Sequence, residues 1–201
     1  VVGAFAAPML VGSTVPATNW LYLYFAVVTA VGLGVDTVRR WAWVSALSVA
    51  LGFGMGWLTV QAGGAALTVG FQVYIAGLAA LAILIPARSL WPDHSGQLIS
   101  LWVPDASDPR PTFPTALSGA VVAAATLGLV WSSRMGVDPF WVGITCLTGF
   151  SFALIGWSIR ASALQDIAVL PAIGLIGVVA LEGLGQGAVR TAFSNAYAQS
   201  P

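Results

Sequence analysis

The chain has 201 residues, of which 58% are hydrophobic and 7% charged, and its mean hydropathy is +0.91. An ordinary soluble domain carries about 25% charged residues, so this chain lacks the polar side chains to clothe a water-soluble globule, and lipid is the solvent that fits it. Seven arginines balance seven acids and lysine is absent, which excludes a basic nucleic-acid patch; the lone Cys146 excludes an intrachain disulfide and a cysteine-rich metal site.

Residues 1–11, VVGAFAAPMLV, are too short to span a bilayer and carry no basic n-region. They read as an internal start, the tail of a helix or a re-entrant piece ended by Pro8, in a fragment of a longer multi-pass protein. Residues 12–19 form a turn around Pro16. The first full span is predicted at 20–38, opened by Trp20, Tyr22 and Tyr24 and closed by Asp36, Arg39 and Arg40. The next stretch is the clearest in the chain. Arg39 and Arg40 are followed by the aromatic pair Trp41 and Trp43, then by uncharged residues as far as a Gln-Ala-Gly-Gly break at 61–64. A cationic anchor, interfacial aromatics and about 30 Å of apolar helix mark a transmembrane span, here 41–61.

A third span follows at 65–85. Residues 86–114 then hold six of the eleven prolines with Asp93, Asp105 and Asp108, and are predicted to lie outside the membrane. Within them 97–103 is a short apolar piece suited to the headgroup layer. Further spans are predicted at 115–132, 140–159 and 166–184, separated by turns carrying Arg134 with Asp138 and Arg160 with Asp166. Pro171 is expected to loosen or kink the last of them. The expected fold is therefore all-α: a polytopic transmembrane helical bundle of about six full spans plus a short partial N-terminal segment. Its organisation is 1–85, an extramembrane break at 86–114, three spans in 115–187 and a polar tail at 188–201. Short links make neighbouring spans antiparallel hairpins.

Arginine counting orients the bundle. Arg39, Arg40, Arg88, Arg110 and Arg160 fall on one side, Arg134 and Arg190 on the other, so the Arg39–Arg40 end is expected in the cytoplasm. Eight of the nine tryptophans fall near predicted helix ends, where indole favours the headgroup level.

With the spans assigned, the stretch GAFAAPML at 3–10 and RRWAWVSAL at 39–47 resemble a bacterial family of multi-pass membrane proteins, domain-of-unknown-function family 2339. The match at Gly3, Ala4, Phe5, Ala7 and Pro8 and at the paired arginines covers roughly the first third of the chain. The resemblance implies a long, many-spanning protein of the bacterial cytoplasmic (inner) membrane. It transfers no catalytic residue, because the family carries no established activity.

Small residues give the packing signal. Ala42, Ala46, Ala50 and Gly54 recur every four residues and share one helix face, while Gly52 and Gly56 form a GxxxG on a neighbouring face. Small faces let backbones approach closely, so both are expected to meet another helix. Two acids stand out as candidate functional or interface charges. Asp36 lies three and four residues before Arg39 and Arg40, a spacing that also fits a local ion pair. Glu182 has apolar neighbours and no arginine within four residues; it is either solvated at a helix end or buried and paired by another element. His94 beside Asp93 makes no convincing metal site, and no phosphate loop, HExxH or GxSxG motif is present. No catalytic, cofactor-binding or metal residue is predicted and no cofactor is expected. The expected function is a non-catalytic integral membrane component, a scaffold, assembly or accessory subunit, with lipids and other membrane proteins or the remainder of its own chain as partners. The alternatives are a transporter or channel domain and, behind it, an interfacial enzyme acting on a lipid-linked substrate.

Overall fold

A computed structural model of the protein describes residues 2–11, 18–39, 41–85, 112–159 and 162–185. The described residues form helices and no strand: α1 Val2–Val11, α2 Trp20–Arg39, α3 Ala42–Gly63, α4 Thr68–Leu84, α5 Phe113–Ser132, α6 Val137–Ser158 and α7 Val169–Gly185. Nearly all of the break at 86–114 and the whole tail at 188–201 lie outside the described residues, with Arg40, Arg88, Trp91, Asp93, His94, Asp105, Asp108, Arg110, Arg160 and Arg190.

Five helical stretches are long and apolar enough to cross a membrane, and one of them, Ala42–Leu84, is 43 residues long. That stretch makes two passes. Gly52 and Tyr74 are 22 residues apart, about 33 Å along a continuous helix, yet the Tyr74 hydroxyl donates to the Gly52 carbonyl at 2.7 Å. The chain reverses at the 3-10 turn Gly64–Leu67, where Gly64 has φ +61°, a conformation that glycine adopts without Cβ strain. α2 to α7 are therefore six passes, with α3 and α4 antiparallel.

α4 is the centre of the bundle. Ile75, Leu78, Ala79 and Ala82 are completely buried, and α4 packs against α2, α3, α5 and α6. Its sequence, TVGFQVYIAGLAALAIL, is apolar all round, which suits a helix packed by protein over most of its surface and exposed only along the stripe of Val73, Gly77 and Leu84. α5 runs antiparallel to it: Ser118 donates to the Ala82 carbonyl, and Gly128, ten residues on along α5, packs at Ile75, seven residues back along α4. α1 docks by its aromatic residue, with Phe5 stacked on Phe25 at 5.9 Å and the Tyr24 hydroxyl donating to the Ala4 carbonyl at 2.7 Å.

Pro114 sits differently from expectation, in the first turn of α5, inside the helix and not in the break. Pro171 lies within the apolar stretch Ser162–Glu182, whose α-helical part begins only at Val169, so the expected loosening falls in the turns just before it. The turns before it close as short bonds, Val169 N–H to the Asp166 carbonyl and Leu170 N–H to the Ile167 carbonyl. Proline has no N–H to extend the ladder back to Ile167, and a first-turn position needs none.

Candidate functional site

The buried polar groups gather first along the seam between α2 and α3. Thr29, Gly32 and Asp36 of α2 face Ser45, Ser48 and Gly52 of α3, and all are buried. Approach is close: a Cβ on Gly52 would lie 2.6 Å from Thr29 Oγ1, and one on Gly32 would collide with Ser48 Oγ. Asp36, 9% exposed, accepts a hydrogen bond of 2.6 Å from Ser45 Oγ. Its partner among the described residues is thus across the hairpin, while Arg39 on its own helix is exposed. Sequence spacing pointed to the arginines and missed Ser45. The available signal was the matched run of small and hydroxyl residues on either side of a short link. Ser48 Oγ is buried without a hydrogen-bond partner.

The packing faces of α3 divide differently from expectation. Gly52 and Gly56 are buried, and a Cβ on Gly56 would run into the Tyr74 ring, 2.9 Å from Cδ1. The other face is turned outward. Ala46, Ala50 and Gly54 are exposed and Ala42 is half-buried, with open space beside Gly54. The expectation that this face meets another helix is corrected for the described part of the chain. The reason is geometric: successive residues turn about 100° around a helix, and the inward direction is already taken by Ser45, Ser48, Val49, Gly52 and Gly56.

Gly54 also floors an apolar groove of about 570 Å³ between α3 and α5, walled by Phe53, Trp57, Leu127 and Trp131. Trp57 and Trp131 pack at 4.2 Å between ring centroids, and both meet Phe71 edge-on. They are joined to the bundle by these contacts as well as lying toward helix ends. Trp20, Trp41, Trp43 and Trp141 are exposed near helix starts, and Trp41 stacks on Trp43 at 6.3 Å.

At the opposite end of the bundle from Arg39, Glu182 and Arg134 line one cleft of about 550 Å³. Arg134 is exposed on the α5–α6 turn and Glu182 is half-buried on α7. The two alternatives for Glu182, solvated or enclosed, meet in an intermediate: a carboxylate on an open cleft shared with an arginine from another element. Ser133, Phe140, Trp141 and Leu181 complete the walls. Gly136 holds the turn with φ +154° and ψ 178°, a region essentially reserved for glycine. Behind the cleft, Gln72 is fully buried and its Nε2 donates to the Pro139 carbonyl at 2.8 Å. The same nitrogen lies 3.5 Å from Ser133 Oγ, and Gln72 Oε1 has no partner. Thr145 and Ser151 of α6 bond back to their own helix, at Trp141 and Leu147.

Among the described residues no three of His, Cys, Asp and Glu gather as a metal site. The fold and its apolar passes define an integral membrane protein of the helical-bundle class. Comparison with known protein families, curated proteins and solved structures finds no match.

Proposed function

We propose that this protein is a non-catalytic membrane component, a scaffold, assembly or accessory subunit, whose α3 presents a seat for a further transmembrane helix. The observation that carries the reading is the outward placement of Ala46, Ala50 and Gly54 at four-residue spacing, beside the groove floored by Gly54. Against lipid alone, small residues gain nothing over leucine; against a helix they permit close backbone approach and dispersion contact. The helix comes from another membrane protein or from the remainder of the same chain. The membrane is the bacterial cytoplasmic one, with the Arg39 end inside, supported by the arginine distribution and by the resemblance at Gly3–Pro8 and Arg39–Arg40 to family 2339.

The test is native electrophoresis of membranes solubilised in mild detergent. The wild-type chain should migrate in an assembly larger than its own mass, and Ala46→Leu with Ala50→Leu should release it without changing its melting temperature. A wild-type chain that migrates alone, and whose melting temperature Ala46→Leu with Ala50→Leu leaves unchanged, contradicts the proposal. A transporter domain is the second reading, favoured by the buried polar seam of Thr29, Asp36, Ser45 and Ser48. It requires Asp36→Asn to abolish ion or solute flux in proteoliposomes.

A further inference from the structure

The cleft between the α5–α6 turn and the end of α7 combines features that no packing requirement explains. It carries one cation and one anion on separate elements, Arg134 on the turn and Glu182 on the helix. Aromatic and aliphatic side chains, Phe140, Trp141 and Leu181, share its walls. It lies at the end of two membrane passes, with Trp141 exposed one turn into α6 and Val137 exposed at the rim. An exposed indole at a helix end marks the headgroup level of a bilayer. The cleft therefore presents paired opposite charges to the layer in which lipids carry paired opposite charges.

We propose that this cleft binds the head group of an aminophospholipid, the phosphate on Arg134 and the primary ammonium on Glu182. Arginine offers a planar fork of donors that matches phosphate oxygens. A carboxylate accepts from an N–H-bearing ammonium, which a quaternary ammonium cannot supply. Phe140, Trp141 and Leu181 cover the glycerol and the first acyl carbons, which selects a lipid over a soluble phosphate ester. Gly136 makes the site possible by its backbone geometry, since the turn brings Arg134 to the cleft rim through a conformation closed to other residues. The buried Gln72 braces the same wall from behind through Ser133 and Pro139. A head group enters the field of both charges at once, whatever contacts Arg134 and Glu182 make within the protein.

Native mass spectrometry of the purified chain in detergent tests this, with phosphatidylethanolamine, phosphatidylcholine and phosphatidylglycerol of identical acyl chains offered in equal amounts. Phosphatidylethanolamine should be retained over each of the others by about fivefold, the size of one half-exposed ion pair. Arg134→Gln should reduce retention of phosphatidylethanolamine and phosphatidylglycerol alike. Glu182→Gln should remove the preference for phosphatidylethanolamine over phosphatidylglycerol while leaving the latter bound. Both variants should still melt as folded protein without lipid, which separates loss of the head-group contacts from loss of the fold. Equal retention of the three lipids by the wild type, or a preference unchanged in both variants, overturns the proposal. Displacement of the lipid by equimolar O-phosphoethanolamine overturns its assignment to a lipid.

Discussion

Ser45 Oγ donates to the Asp36 carboxylate at 2.6 Å, joining the last turn of α2 to the first turn of α3. The link between these helices is so short that the carboxylate and hydroxyl are brought together by the hairpin itself. A buried carboxylate that loses a donor bears the desolvation penalty alone. Ser45→Ala should therefore lower stability by about 1–3 kcal/mol, read as a fall in melting temperature in detergent. Asp36→Asn should lose less, since an amide oxygen still accepts from Ser45. Identical melting of Ser45→Ala and the wild type would show that the bond contributes nothing.

The glycines of α3 should separate by face. A methyl group on Gly56 meets the Tyr74 ring, whose hydroxyl is held by the Gly52 carbonyl and cannot swing freely. Gly56→Ala should cost about 1–3 kcal/mol through overpacking. Gly54→Ala meets open space and should leave stability unchanged or slightly raised, because alanine is the better helix former. Parallel thermal melts of the two variants check this, and equal losses would contradict the division of faces.

Ala46→Leu gives a sharper contrast. Were Ala46 packed inside the bundle, the larger side chain would destabilise it. Ala46 is exposed, so the isolated protein should melt within about 0.5 kcal/mol of wild type, while assembly with a partner helix is lost. A lowered melting temperature of the isolated chain would place Ala46 inside.

Gly136 should be intolerant. Its φ of +154° strains any side-chain-bearing residue, and Gly136→Ala should lose about 1–3 kcal/mol. The same change at Gly77, which is helical and has nothing within 4 Å of its added Cβ, serves as the control in the same melting assay.

Hydropathy, arginine anchors and tryptophan positions sufficed to place all six passes within a few residues, because these features are set by the bilayer and are local in the chain. The central role of α4 was less visible, since a helix covered by protein and one bathed in lipid are both apolar on every side. The same ambiguity left both small faces of α3 looking alike, and only that of Gly52 and Gly56 is enclosed. Ala46 and Gly56 are both small, and the position of Tyr74 on the next helix decides which is enclosed. Asp36 was visible as an acid near the end of a span, but its partner was not, because Ser45 lies beyond the arginines on another helix. Glu182 was legible as a lone acid among apolar neighbours, with no arginine within four residues. That Arg134 shares its cleft follows from the packing of α7 against the α5–α6 turn, a contact between distant segments that no local pattern records.

The central claim is that the Ala46, Ala50 and Gly54 face of α3 seats another transmembrane helix, and photocrosslinking in native membranes tests it most directly. A benzophenone side chain at position 50 should give a discrete adduct of higher mass, while one at Val31, exposed on α2, should react with lipid alone. The adduct mass separates a second copy from a different protein, and Gly54→Leu should abolish it. Lipid adducts alone at position 50, as at position 31, would contradict the account.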